Sequence, residues 1–244
     1  MTPPPDALIL IGLDDTDNAD SRGTGHLARM LLAECSRRGL EPVGVTRHQL
    51  LLDRRIPYTS HNSSACVAVR AEQGDGAGEF AFDFVAGRAA EGSDPGVCLA
   101  LADDVPAAVT NLGLRATREI VEMADAFAAA ERAGLALRPL GGTGLGVIGA
   151  LAAVGLRAGG NDGRLIDLPG LRELPDRVAA EDLLRLGIDL EHMGDRPPAA
   201  GDAYETLGWV RPRMVDGRAV LPVLWHEERH AWLPVDRKRR GPQE

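Results

Sequence analysis

Short apolar runs alternate with stretches of helical periodicity along the first half of the chain. The apolar run at 8–13 has the length of a buried strand, and the stretch at 24–38 has one apolar face and ends before Gly39, which predicts a helix. The same patterns predict strands at 42–52, 65–69 and 97–102 and helices at 79–91, 105–112 and 116–133. Such alternation favours an α/β or α+β fold built on a mixed sheet.

The later part of the chain predicts fewer regular elements. A helix is predicted at 176–186, and a linker rich in proline and alanine follows at 196–200. Short strands are predicted at 209–235. We therefore expect a main domain over residues 1–198, either continuous or split by an inserted subdomain, and a small C-terminal β appendage over residues 199–244.

Three carboxylates crowd into the turn after the first predicted strand. Asp14, Asp15 and Asp17 lie within four residues, and Asp, Asn and Gly dominate the segment that follows. Neighbouring carboxylates repel one another unless a cation shares the site, and Mg²⁺ with bound phosphates prefers such oxygen ligands. The pattern predicts a metal and phosphate site at Asp14, Asp15 and Asp17, and the alternative is an acidic turn that caps the next helix.

The start of the second element is a candidate phosphate site. Gly23 and Gly25 flank Thr24 where the helix is expected to begin, so free backbone N–H groups would point at an anion. Thr24 has two interpretations. It is either the helix N-cap, a common role for threonine, or a hydroxyl held next to a phosphate and therefore a phosphoryl acceptor.

A glycine-rich segment is the second candidate for nucleotide binding. Gly144 and Gly146 open a GxGxxG match that ends at Gly149, and Gly142 precedes it. The match alone is weak evidence of a dinucleotide fold. Two further interpretations stay open: Gly142, Gly144 and Gly146 cradle phosphates of a cofactor, or the glycines allow close helix packing.

A polar loop separates the second and third predicted strands. It contains Arg55, Tyr58, His61 and Asn62, which have no evident place in an apolar core. We expect these four residues to contact substrate, and the alternative is an ordinary surface loop.

Composition narrows the chemistry. The 244 residues carry a net charge of −9, which opposes non-specific binding to polyanions, although 236–240 is a basic tail that could be either solvated or a nucleic-acid contact. Lys238 is the one lysine among 27 basic residues. A Walker loop, a protein-kinase strand lysine and Schiff-base catalysis are thereby excluded. Any ATP must be held by metal, backbone N–H groups and arginine.

The cysteines and the amino terminus bear on the cellular setting. Cys35, Cys66 and Cys98 have no CxxC spacing, so we expect reduced thiols rather than a zinc site. The sequence shows no apolar run long enough for a membrane span and no signal peptide, and we expect a cytoplasmic protein without a membrane partner.

Several segments, in order, resemble the archaeal tRNA agmatinylcytidine synthetase family. The family's Gly-Ile-Asp-Asp-Thr-Asp corresponds to residues 12–17, and Thr24 has the spacing of its autophosphorylated threonine. The Ile-Pro-Tyr motif is found at 56–58, the segment Gly-Val-Ile-Gly-Ala-Leu-Ala-Ala-Val-Gly at 146–155, and a later family segment resembles 211–216. The resemblance implies a kinase-like domain that uses ATP and Mg²⁺, with Asp14, Asp15 and Asp17 holding metal.

The sequence also departs from that family. Residues 59–64 replace the family's Lys-Thr-Arg-Gly-Asn-Gly, and no segment matches its OB-fold or its zinc ribbon, the modules that hold tRNA. We therefore expect phosphoryl transfer to a small molecule. The alternatives are a tRNA-modifying enzyme, an aspartate-based phosphohydrolase suggested by Asp15-Thr16-Asp17, and a protein that binds nucleotide or tRNA without turnover.

Overall fold

The first predicted strand lies at the centre of a mixed sheet. The computed structural model describes residues 7–57, 61–71 and 78–235. Strand β1 (Ala7–Asp14) pairs antiparallel with β3 (Ser63–Ala71) on one side and β4 (Gly96–Leu101) on the other. The outer neighbours are β2 (Glu41–Gln49) beside β3 and β5 (Ala136–Pro139) beside β4. The α+β fold is thus confirmed, and the strands around the acidic turn are antiparallel.

Helices cover both faces of this sheet because β1 is apolar on both sides. Ile9, Ile11 and Leu13 pack with α1 (Thr24–Arg37) and α2 (Phe80–Ala86). Leu10 faces the other layer, which contains α3 (Ala107–Ala116), α4 (Met123–Ala133) and α5 (Gly146–Gly159). Alternation of side chains across a strand produces this division. Among the described residues, no helix has the length and apolar character needed to span a membrane.

The remaining strands extend the sheet beyond β2. In chain order they are β6 (Arg164–Asp167), β7 (Arg177–Ala179), β8 (Ile188–Met193), β9 (Ala203–Glu205), β10 (Arg213–Val215), β11 (Arg218–His226) and β12 (Ala231–Pro234), with the short helix α6 (Ala180–Arg185) after β7. Strand β6 links the two parts, since it pairs with both β2 and β10. A third apolar cluster, from Leu165 to Trp232, includes residues on both sides of 198, and the predicted boundary there stays a prediction.

Four predicted elements differ from the structure. The helix predicted at 116–133 begins only with α4, because residues 117–122 are not helical. The helix predicted at 79–91 is shorter in the structure, where only residues 80–86 are helical. The helix predicted at 176–186 is divided, since Arg177–Ala179 pairs with β9 before α6 begins. The segment 146–149, predicted as part of a glycine loop, is the first turn of α5. At 177–179 and 146–149, pairing with β9 and close packing against Asp94 override the local pattern.

Candidate active site

The acidic turn is a cluster of carboxylates between β1 and the loop before β4. Asp14 ends β1, and Asp15 turns the chain in the left-handed region with φ of 51°. The Asp15 carboxylate accepts a hydrogen bond from the backbone N–H of Asp94. Burial raises the pKa of Asp14 to about 7, and repulsion from Asp15 and Asp17 adds to it. Burial and the negative charge of Asp94 also raise the pKa of Asp15.

Asp17 is turned towards the start of α1. Its Oδ1 atom accepts hydrogen bonds from the Thr24 backbone N–H at 3.1 Å and from the Thr24 hydroxyl at 2.8 Å. The Thr16 hydroxyl in turn donates to Thr24 Oγ1 at 3.2 Å. Gly23 occupies the N-cap position, so Thr24 is the first helical residue and the N-cap interpretation of Thr24 is wrong. The carboxylate of Asp17, seven residues before Thr24, caps the start of α1 instead.

A cavity of about 230 Å³ opens beside Thr24 and Asp17. Gly23 and Gly25 line it, and so does His61 from the polar loop; their binding of phosphate and substrate stays a prediction. The remaining polar lining is largely basic and comes from distant parts of the sequence. It includes His26, Arg29, Arg47, Arg172 and Arg211.

Basic side chains predominate in the cavity lining, although Asp17 also lines it and Arg172 pairs with Asp167 at 3.7 Å. Burial and the charges of Arg22 and Arg29 lower the pKa of His26. Burial together with repulsion from neighbouring arginines also lowers the pKa of Arg29 and of Arg211. Within the described ranges, no carboxylate lies at ion-pair distance from Arg29, Arg47 or Arg211. A cavity that concentrates unneutralised arginine attracts an anion, and the planar guanidinium suits phosphate.

Trp209 holds two of these arginines in place. The guanidinium carbon of Arg211 lies 3.7 Å from the Trp209 ring centroid, and that of Arg172 lies 4.7 Å from it. Arg172 is fixed further by donating to the backbone oxygen of Ile166 at 3.0 Å. Trp209 Nε1 is buried and has no hydrogen-bond partner among the residues that the structure describes. The ring therefore positions the two cations at the cavity.

The glycine-rich segment lies at the acidic cluster, outside the cavity lining. A Cβ atom on Gly142 would lie 1.4 Å from Asp94 Oδ1, and one on Gly146 would lie 2.3 Å from the Asp94 backbone oxygen. Gly144 adopts φ of 84° in the turn before α5. These contacts favour the close-packing interpretation for Gly142 and Gly146. Phosphate binding by Gly142, Gly144 and Gly146 stays a prediction.

The predicted substrate contacts of the polar loop differ in whether they reach the cavity. His61 lines the cavity, whereas Asn62 donates to the Leu51 backbone oxygen at 2.7 Å and so anchors the loop. Arg55 is largely exposed and pairs with Asp53 at 2.8 Å. Tyr58 lies outside the described residues. Of the four predicted substrate contacts, the described structure brings only His61 to the cavity.

A magnesium site fits the carboxylates by their chemistry. Asp14 and Asp15 have raised pKa values because burial and neighbouring carboxylates disfavour their charge, and a divalent cation would reverse that effect. Mg²⁺ keeps several waters and needs only one or two carboxylates. In the described part of the chain, no three His, Cys, Asp or Glu side chains are grouped to hold a metal directly. The predicted triad of Asp14, Asp15 and Asp17 stays a prediction.

Five residues of the cavity and its surroundings were not predicted from the sequence: Asp94, Arg29, Arg47, Arg172 and Trp209. Arg29, Arg47, Arg172 and Trp209 lie in segments without a recognisable motif, whereas Asp94 lies in the turn at 93–96, which also resembles the family although no role is predicted for it. Arg211 had a signal, because it opens the segment 211–216 that resembles a known family. An arginine-rich, lysine-poor composition was a general sign that arginine would hold any phosphate.

Over about three fifths of the chain, the fold is similar to part of solved tRNA agmatidine synthetase structures. A solved structure of apo TiaS, described as an agmatidine synthetase for an isoleucine tRNA, matches with a TM-score of 0.50 and 24% identity over 61% of this chain and 35% of that one. The structure of a complex of TiaS with that tRNA and ATP matches with a TM-score of 0.50 and 25% identity, over 61% and 36%. No family model matches the chain.

A curated relative supports the same resemblance. The chain is 32% identical over 154 residues to TiaS of Pyrococcus horikoshii, named as a 2-agmatinylcytidine synthetase for an isoleucine tRNA. The match covers 61% of this chain and 35% of the relative, so the chain spans about a third of the length of the proteins it matches. The resemblance that the ordered motifs indicated is confirmed over that part of the chain.

Proposed function

We propose that this chain is an ATP-dependent phosphoryl-transfer enzyme that acts on tRNA. The observation that carries the proposal is the Thr24 hydroxyl, bound to the Asp17 carboxylate at the edge of an arginine-lined cavity. TiaS of P. horikoshii is named as a 2-agmatinylcytidine synthetase for an isoleucine tRNA, and a solved TiaS complex contains tRNA and ATP. The small-molecule acceptor that the sequence favoured is not supported by these comparisons, and the tRNA alternative fits them better.

The contact between Thr24 and Asp17 is suited to nucleophilic attack. The distance of 2.8 Å is within the range for a general base and the hydroxyl it deprotonates. The proton passes from Thr24 Oγ1 to Asp17 Oδ1 as the threonine oxygen bonds to the γ-phosphorus of ATP. The bond from that phosphorus to the β–γ bridging oxygen breaks, and ADP leaves with the electron pair.

Arginines and the carboxylate cluster supply the rest of the site. Arg29, Arg47, Arg172 and Arg211 would neutralise the charge of the phosphates, the role that lysine has in other ATP-binding sites. Mg²⁺, held by Asp14 and Asp15 with some of its waters, would supply further positive charge for the phosphates. Thr16 donates to Thr24 Oγ1 and so fixes the rotamer in which the hydroxyl faces Asp17.

ATP turnover with and without tRNA tests this function. We expect ADP release by the purified chain with Mg²⁺ and ATP to rise when a bulk tRNA preparation is added. The Arg211→Gln variant should bind ATP about tenfold more weakly, because one charge-assisted hydrogen bond to phosphate is lost. Arg218, exposed and paired with Asp189, provides the matched control Arg218→Gln.

Two results would contradict the proposal. Absence of ATP binding and of ADP formation would remove the kinase-like chemistry. ADP formation that tRNA leaves unchanged, but that a small metabolite pool stimulates, would restore the small-molecule acceptor.

A further inference from the structure

A fully buried histidine lies directly behind the arginine-lined cavity. His48 follows Arg47 in β2, so the two side chains lie on opposite faces of the sheet. Arg47 lines the cavity, whereas His48 is 0% exposed. His48 Nδ1 lies 2.8 Å from Asp162 Oδ1, and His48 Nε2 lies 2.8 Å from Thr46 Oγ1. Both ring nitrogens therefore have partners, and the proposed phosphoryl transfer uses neither of them.

These hydrogen bonds define the state of the His48 ring. A carboxylate only accepts hydrogen bonds, so Nδ1 carries the proton that it donates to Asp162, and Nε2 accepts from the Thr46 hydroxyl. Burial lowers the pKa of His48 more than the bond to Asp162 raises it, and the charge of Arg157 on α5 lowers it further. The ring is therefore a neutral link between two strands.

The bond between His48 and Asp162 joins β2 to the segment that leads into β6. Asp162 lies between α5 and β6. The next residue, Gly163, packs so closely on His48 that a Cβ atom there would lie 2.7 Å from the imidazole ring. Gly163 also has a φ of 93°, which favours glycine. We call the hydrogen bond between His48 and Asp162 the clamp.

The clamp is connected to the segment that carries Arg211. The backbone oxygen of Gly163 accepts a hydrogen bond from the Met214 N–H at 3.0 Å, which ties the start of β10 to the residue after Asp162. Arg211 lies three residues before Met214 and lines the cavity. The clamp therefore links the two segments that carry Arg47 and Arg211.

Two features weaken this junction and give the clamp a purpose. The ladder between β2 and β6 is irregular between Val45 and Thr46 and ends at Arg47. Burial lowers the pKa of Arg211, and the nearby charge of Arg47 lowers it further, so the two cations repel one another across the junction. A hydrogen bond in a buried setting, where the local dielectric is low, opposes such repulsion effectively.

We propose that His48 and Asp162 are positioning residues that hold Arg47 and Arg211 at the separation needed to bind one polyphosphate chain. The inference deepens the proposed function and rests on it, because the polyphosphate there is the triphosphate of ATP. His48 itself touches no substrate, since it lies on the opposite face of β2 from the cavity. The clamp acts by keeping β2 and the segment before β10 together against the repulsion of the two arginines.

Binding of inorganic tripolyphosphate, measured by calorimetry on the full chain, tests the clamp without turnover. Asp162→Ala and Asp162→Asn remove the same negative charge, but the asparagine oxygen can still accept from His48 Nδ1. We expect Asp162→Ala to bind about tenfold more weakly, as for the loss of one arginine–phosphate contact, and Asp162→Asn to stay within about twofold of the unaltered chain. Removing a carboxylate by itself strengthens anion binding, so the expected loss is opposite in sign to a general charge effect.

A double-mutant cycle tests whether the clamp acts through the cavity arginines. In an Arg47→Gln background we expect Asp162→Ala to weaken binding by less than about twofold, because the cation that the clamp positions is already absent. Tyr204→Phe is the control for loss of a hydrogen bond elsewhere, since it removes the 2.7 Å bond to His192. We expect Tyr204→Phe to leave the affinity for tripolyphosphate unchanged, whatever its effect on stability.

Four results would overturn the positioning role. They are unchanged affinity in Asp162→Ala, equal losses in Asp162→Ala and Asp162→Asn, a full loss in the Arg47→Gln background, and no binding of tripolyphosphate by the unaltered chain. A loss in Tyr204→Phe equal to that in Asp162→Ala would also overturn it, because affinity would then follow stability alone.

The result can be separated from that of the ATP experiment. ADP formation stimulated by tRNA, together with tripolyphosphate binding that ignores Asp162, would refute the clamp and keep the proposed function. Tripolyphosphate binding that depends on the clamp, together with no ADP formation, would refute the enzymatic function and keep the clamp as part of a polyphosphate site.

Discussion

Replacing Asp17 with asparagine is expected to slow phosphorylation of Thr24 by about 100-fold to 10,000-fold, the range for loss of a general base. The side-chain oxygen of asparagine can still accept the hydrogen bond that the Thr24 backbone N–H now donates to Asp17 at 3.1 Å, so α1 keeps its cap. What the variant loses is the negative charge that receives the hydroxyl proton. Single-turnover incorporation of label from γ-labelled ATP measures the rate.

Asp20→Asn is the matched control for this prediction. Asp20 is exposed in the same loop, and the substitution removes the same charge. We expect its rate to equal that of the unaltered chain. An Asp17→Asn variant that folds normally and retains a rate within about threefold of the original would show that the carboxylate only caps α1.

Substitution of Gly12 by alanine is expected to destabilise the fold by about 3 kcal/mol, at the upper end of the usual cost of overpacking. A Cβ atom on Gly12 would lie 2.1 Å from the backbone oxygen of Ala150 in α5 and 3.0 Å from a methyl group of Val154. A backbone oxygen in a buried helix cannot move aside alone, so the whole of α5 must shift. Urea denaturation gives the free energy of unfolding.

The same shift should disturb the acidic cluster. Gly149 of α5 lies so close to Asp14 that a Cβ there would be 1.8 Å from Asp14 Oδ2.

Gly141→Ala is the control for Gly12→Ala, since its Cβ would lie at an ordinary 3.5 Å from Pro95, and its effect should stay below about 1 kcal/mol. If Gly12→Ala were as stable as Gly141→Ala, the close approach of β1 and α5 would be wrong.

The sequence was sufficient to predict the elements whose local pattern agrees with their tertiary contacts. The apolar run at 8–13 became β1 because it is buried on both faces, and the stretch at 24–38 became α1 because its apolar face meets β1. The ordered motifs led to the correct family resemblance. The crowding of carboxylates after β1 could also be predicted, since it is a property of adjacent residues.

Features set by distant residues could not be predicted. Glycine disfavours helices, so nothing local indicates that α5 begins at Gly146; close packing against Asp94 requires glycine there. The cavity arginines are dispersed along the chain. They meet because α1, β2, the segment after β6 and the segment before β10 border the same cavity; they are Arg29, Arg47, Arg172 and Arg211. Their common cavity follows from strand register, which a single sequence does not reveal.

The most direct test of the account is the site of phosphorylation. The chain is incubated with Mg²⁺ and γ-labelled ATP, digested, and analysed by mass spectrometry beside Thr24→Ala and Thr24→Ser. We expect one phosphorylated peptide, with phosphate on Thr24, loss of label in Thr24→Ala and retained label on the serine of Thr24→Ser. Label at another residue, or label that persists in Thr24→Ala, would contradict the assignment of Thr24 as the phosphoryl acceptor.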